Sequence, residues 1–166
     1  MAEALPEFQF VMAGGPADGD SGLFSEVKSR AESIANVSFL GFVPFREIDQ
    51  HYRRASVYLC TSTIEGFSNS ILQAWSHGRP VVSTLDPDGV IEQHKLGFHV
   101  TETGDLVEAV RRACANSETY IGPARAYLEQ NHAPEVIMPQ IETVLRGSWL
   151  VARSESRLGS SCSALR

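Results

Sequence analysis

No stretch of the chain approaches the roughly 18 consecutive apolar residues of a membrane-spanning helix, and its first residues carry Glu3 and Glu7 without an apolar export segment. Membrane insertion and export are therefore not expected, and a cytoplasmic location is. Cysteine is scarce. Cys60, Cys114 and Cys162 lie far apart, contain no CxxC pair and give no even count for a disulfide framework. A reducing compartment suits such a chain. Positive charge is short as well: the formal net charge is −6, and residues 147–166 hold Arg153, Arg157 and Arg166 against Glu155, leaving −8 for residues 1–146. Without clustered Lys and Arg to displace counterions, nucleic acid is excluded as a main partner. An anionic ligand would have to be held by backbone dipoles. There is no GxGxxG dinucleotide fingerprint, and His51, His77, His94, His99 and His132 show no HExxH or similar spacing, so neither a metal nor a cofactor is expected.

What is present is a rhythm of short apolar runs separated by longer mixed segments. The runs Phe8 to Ala13, Val37 to Val43, Val57 to Ser62, Pro80 to Thr84 and Gly97 to Val100 predict strands. They are continuous rather than alternating, as in parallel strands buried on both faces, and the intervening segments are long enough for crossover helices. The expected fold class is α/β, a Rossmann-like doubly wound parallel sheet. Helices are expected over Ser21 to Ser33, Glu47 to Arg54, Thr103 to Ala115 and Tyr120 to Gln130, and from a Ser68 cap to a stop at Gly78. A last helix begins at Pro134, with Pro139 a costly interior residue. From Gly147 onward Ser, Arg and Gly dominate. The expected division is therefore a domain over residues 1–146 and a disordered tail over 147–166.

Two places along this pattern suit ligand chemistry. Gly14 and Gly15 follow the first strand directly, where missing side chains let a backbone or ligand come close. The stronger candidate is the segment Thr63-Ile64-Glu65-Gly66-Phe67-Ser68-Asn69-Ser70-Ile71-Leu72-Gln73-Ala74. It sets an acidic residue in the loop at a strand's carboxyl end, just before a capped helix, which is where open α/β sheets bind ligands. Free N–H groups of Asn69, Ser70 and Ile71, at the positive end of the helix dipole, are expected to face an anion such as a diphosphate. Asp86-Pro87-Asp88-Gly89 has the chemistry of a turn, and Trp75 that of a core residue.

Glu65 to Ala74 resembles the EX7E region of the family 4 glycosyltransferases, retaining enzymes of the GT-B type, with Gln73 standing where the second Glu usually stands. The likeness runs from about Phe8 to Leu145. Phe39-Leu40-Gly41-Phe42-Val43-Pro44 resembles the segment lining the nucleotide base, and Tyr52 to Ser62 the helix and strand before the acidic loop. Ser76 to Ser83 is similar to the turn and strand after it, and Gly89 to Glu92 with Gly97 and Phe98 to the donor-side loop and next strand.

The resemblance implies that this chain is the donor-binding half of a glycosyltransferase that moves a sugar from a UDP-, GDP- or ADP-sugar to an acceptor hydroxyl with retained configuration and without a metal. It implies a catalytic role for Glu65 against the donor sugar. Gly14, Gly15, Gly66, Phe67, Ser68, Asn69 and Ser70 would serve the sugar and diphosphate, Gln73 the ribose, and Phe42 and Val43 the base. Gln73 can donate and accept but carries no charge. The family's upstream Arg and Lys, which neutralise the departing diphosphate, precede the matched region, and so does the acceptor domain. The chain alone is accordingly expected not to turn over, its partner being that acceptor half. A noncatalytic binding module with the same fold is the alternative.

Overall fold

The computed structural model describes residues 1–16, 21–64 and 66–158. The chain divides into two compact units, residues 1–125 and 126–166. The first holds every strand among the described residues: β1 (Phe10–Ala13), β2 (Val37–Gly41), β3 (Tyr58–Cys60), β4 (Val81–Ser83) and β5 (Gly97–His99). Between them run α1 (Ser21–Glu32), α2 (Phe45–Arg54), α3 (Asn69–Ser76) and α4 (Val90–Gln93), and α5 (Leu106–Ala115) follows β5. All five expected strands are present, each a little shorter than its apolar run. All strand pairs are parallel, as the crossover helices require.

The ladder is not one sheet. β1 pairs with β2, and β3, β4 and β5 form a second sheet in that order. Side-chain packing joins the two instead: Phe8 and Phe10 beside β1, and Val57 and Leu59 beside β3, all pack on one cluster built from Leu5, Val82, Val100, Leu106, Ala109, Val110 and Ala113. Four of those seven come from α5 at positions i, i+3, i+4 and i+7, the stripe that one helix face presents to a core. In β4, Val81, Val82 and Ser83 are all fully buried. Val82 faces the α5 cluster, so by alternation Val81 and Ser83 point to the other face, and the strand is covered on both sides.

Local chemistry explains the boundaries. Ser68 caps α3, its side chain accepting from the Ser70 amide at 3.3 Å. At the other end Gly78 takes a φ of +67°. Its amide reaches Trp75 O at 2.8 Å and that of Arg79 reaches Ala74 O at 2.9 Å, the paired bonds of a Schellman stop. Gly97 is required for a different reason: a Cβ there would lie 1.8 Å from the Val81 carbonyl oxygen. The N-terminal residues are part of this unit. Leu5 is fully buried, and the Asn36 side-chain amide donates to Ala2 O, Leu5 O and Phe8 O at 2.9 to 3.0 Å.

Helix α6 (Ile121–Asn131) crosses the boundary between the units, and α7 (Pro134–Leu158) lies in the second. Pro139 sits inside α7, where its carbonyl accepts from the Thr143 hydroxyl at 2.8 Å. Helical backbone thus extends past Gly147, where the composition suggested a tail, while residues 159–166 lie outside the described residues.

Candidate functional site

The carboxyl ends of the parallel strands carry the residues singled out above, in two groups. The first ends the β1–β2 sheet. The Gly14 amide donates to Gly41 O at 2.8 Å, and a Cβ on Gly15 would meet the Phe42 Cβ at 3.3 Å, so Gly15 and Phe42 lie against each other. Gly41 turns the chain with a φ of +67° and lifts Phe42 outward, leaving its ring 75% exposed, while Val43 is half-buried. Space beside Gly14 is open. Two stretches 27 residues apart therefore share one surface.

The second group ends β3. Glu65 lies outside the described residues, so the acidic member of the motif is not placed. Gly66 is exposed with open space where a Cβ would be, and Phe67 packs edge-on to Trp75 at 6.1 Å between centroids. Phe67, Ser68, Ile71 and Trp75 line a shallow notch whose far wall is Asp86, Pro87, Val90 and Ile91. Trp75 is buried as expected, its indole N–H donating to Leu96 O at 3.3 Å.

One expectation is corrected here. Of the three first-turn amides, that of Ser70 is bonded to the Ser68 hydroxyl, and that of Ile71 to Ser68 O at 3.1 Å. Of the three, only the Asn69 N–H has no partner among the described residues. The reason is local: the Ser68 hydroxyl takes one donor and the Ser68 backbone carbonyl the other, which an anion would otherwise claim. Gln73 is half-buried one turn further along α3, four residues from the exposed Asn69.

Helix α2 braces the C-terminal end of α3. Asp49 binds His77 at 2.6 Å and Arg53 at 2.7 Å, and His77 stacks on Tyr52 with ring planes 8° apart. Burial holds the Tyr52 phenol above its ordinary range, so it remains a hydroxyl at neutral pH. The sequence offered no signal for this brace beyond the aromatic and acidic residues themselves. Asp86 fulfils its turn role: its carboxylate accepts the Ile91 amide at 2.8 Å and the Glu92 amide at 3.2 Å, holding the first turn of α4.

Parallel strands with crossover helices and a capped helix opening at a strand's carboxyl end define a class, the Rossmann-like α/β unit. The pattern of the family described as Glycosyl transferases group 1 matches residues 1–116, and the chain belongs to that family. Among curated proteins, it is 29% identical over 107 residues to the GtfA subunit of a UDP-N-acetylglucosamine–peptide N-acetylglucosaminyltransferase from Streptococcus pneumoniae serotype 4. That match covers 63% of this chain and 20% of the relative, so the chain spans about a fifth of its length. Among solved structures, the pneumococcal O-GlcNAc transferase GtfA in complex with UDP and GlcNAc superposes with a TM-score of 0.54 at 19% identity. It covers 87% of this chain and 30% of that one, and shows the fold. AviGT4, a glycosyltransferase involved in avilamycin A biosynthesis, matches at 0.45 and 22% identity over 78% of this chain and 44% of that one. No helix among the described residues is long and apolar enough to cross a membrane.

Proposed function

We propose that this chain supplies the nucleotide-sugar site of a retaining glycosyltransferase, binding the donor at the carboxyl ends of β1, β2 and β3. The observation that carries the reading is the α3 start: an exposed Gly66, a Ser68 cap and an unpaired Asn69 N–H at the positive end of a helix, directly after β3. The UDP named with the pneumococcal GtfA structure supports a nucleotide as the ligand. In this reading Glu65 faces the donor sugar. Gly14, Gly15 and Gly66 to Ser70 meet the sugar and diphosphate, Gln73 the ribose, and Phe42 and Val43 the base. With two first-turn amides already bonded, the diphosphate is held by fewer N–H groups than a bare helix start offers, and donor affinity is modest. Transfer requires an acceptor half to complete the cleft, and no metal takes part. The free thiols of Cys60 and Cys114 suit a reducing, cytoplasmic setting.

The test is calorimetric titration of the purified chain with UDP, GDP and ADP, then with their sugars, beside Glu65→Ala and Gln73→Ala. Saturable binding to one nucleotide, weakened several-fold by each change, is the expected result. No binding by a chain shown to be folded would overturn the proposal. Sugar transfer by the isolated chain above background would overturn the need for a second half. Gln73, uncharged where the family pattern has a carboxylate, favours the noncatalytic module as second reading. Binding without transfer after an acceptor half is supplied would select it.

A further inference from the structure

Beside the notch, three side chains from separate elements converge: Asp86 in the turn after β4, Glu92 in α4 and His99 at the end of β5. Their ligand-type atoms, two carboxylate oxygens and an imidazole nitrogen, all lie within 4.8 Å of one another. Asp86 is oriented from behind. Each of its oxygens accepts one backbone amide, which fixes the carboxylate plane and leaves further lone pairs for another partner. Hydrogen bonds of that kind are how ligating carboxylates are held in built metal sites. His99 supplies the nitrogen donor of the set. Its side chain is only 26% exposed, yet its Nδ1 stands 3.9 Å from Glu92 Oε1, too far for a hydrogen bond, and the ring makes no hydrogen bond among the described residues.

We propose that Asp86, Glu92 and His99 bind a first-row divalent cation of the zinc class, with water completing the coordination. An imidazole with two carboxylates suits such borderline ions better than Ca2+, which takes six to eight oxygens, or Mg2+, which keeps most of its waters. The three ligand atoms lie within 4.8 Å of one another and must draw together to hold an ion. Tetrahedral bonds of about 2.0 to 2.1 Å put ligand atoms roughly 3.3 Å apart, so the 3.9 Å His99–Glu92 separation has to close by about 0.6 Å. Glu92, long and 68% exposed at its side chain, has the freedom to do so. The ion would tie the turn after β4, α4 and β5 together. Glu92 belongs to the segment that resembles the donor-side loop, but the inference rests on the cluster alone; it departs from the expectation of no metal, because the ligands come from three elements that no local spacing connects.

The experiment uses the full chain, freed of metal with a chelator, titrated with Zn2+ by calorimetry and with Co2+ followed by visible absorption. One equivalent binds, the Co2+ complex shows the intense bands of low-coordinate geometry, and the His99 ring resonances broaden. Glu92→Ala and His99→Ala each weaken Zn2+ binding at least tenfold, whereas His94→Ala, next to the cluster in sequence but outside it, leaves binding unchanged. Absence of saturable binding, binding that survives Glu92→Ala, or an equal loss in His94→Ala would overturn the proposal. Should His99→Ala fail to fold, the exposed Glu92→Ala change and the ring broadening in the unmodified chain decide.

Discussion

In β4 three consecutive residues are fully buried, whereas in β1 Val11 is 55% and Met12 43% exposed, and in β2 Leu40 is 40% exposed. Both regions are written in the same kind of continuous apolar run. The difference lies in their surroundings. β4 has a strand on each side, the α5 cluster against Val82 and the α3 helix in contact, while β1 and β2 have only each other as ladder partners and α1 beside β2. Exposed Leu23, Val27, Phe42 and Phe45 extend the same contrast beyond the strands. An apolar run therefore reports that a segment is a strand. It does not report that both faces are covered.

The comparison can be broken at several points, and the largest effect is expected where the β3–β5 sheet is tightest. Gly97→Ala drives a methyl group into the Val81 backbone and should cost about 4 kcal/mol or more, or prevent folding, as read by urea denaturation. Leu106→Ala empties a buried position in the α5 cluster, with an expected loss of about 2 to 5 kcal/mol in the same assay. Ser68→Ala removes the α3 cap and should cost about 1 kcal/mol. It also frees the Ser70 amide, so nucleotide affinity should fall far less than stability alone would suggest. Val11→Thr and Leu40→Thr, on exposed positions, are expected to stay within about 0.5 kcal/mol of the parent. A loss of about 2 kcal/mol at Val11 would mean that the β1–β2 face is covered in solution, and the contrast would fail.

Most of the fold was legible because its signals are local. Apolar runs placed the five strands. Ser68 and Gly78 bounded α3 through a cap and a left-handed stop. α2 begins two residues before its expected start, at Phe45, because Pro44 serves as the cap residue and its carbonyl accepts the Glu47 and Ile48 amides. Less legible was Leu5, a core residue in a segment with no periodicity, pinned by an asparagine 31 residues away. The candidate site was legible as a set of positions at strand ends. That Gly15 touches Phe42, and that Ser68 occupies two of the three amides meant for an anion, were not.

The sequence by itself determined the elements, their order and their parallel sense, because hydrophobic periodicity, caps and glycine stops act within a few residues. Its net charge of −6 also argues against nucleic acid as a main partner. Only the tertiary structure decided which apolar strands are covered, that the two sheets are joined by packing on one cluster rather than by a ladder, and that Asp86, Glu92 and His99 meet. Those outcomes depend on contacts between residues far apart in the chain, and the chain's local chemistry carries no record of the distance between them.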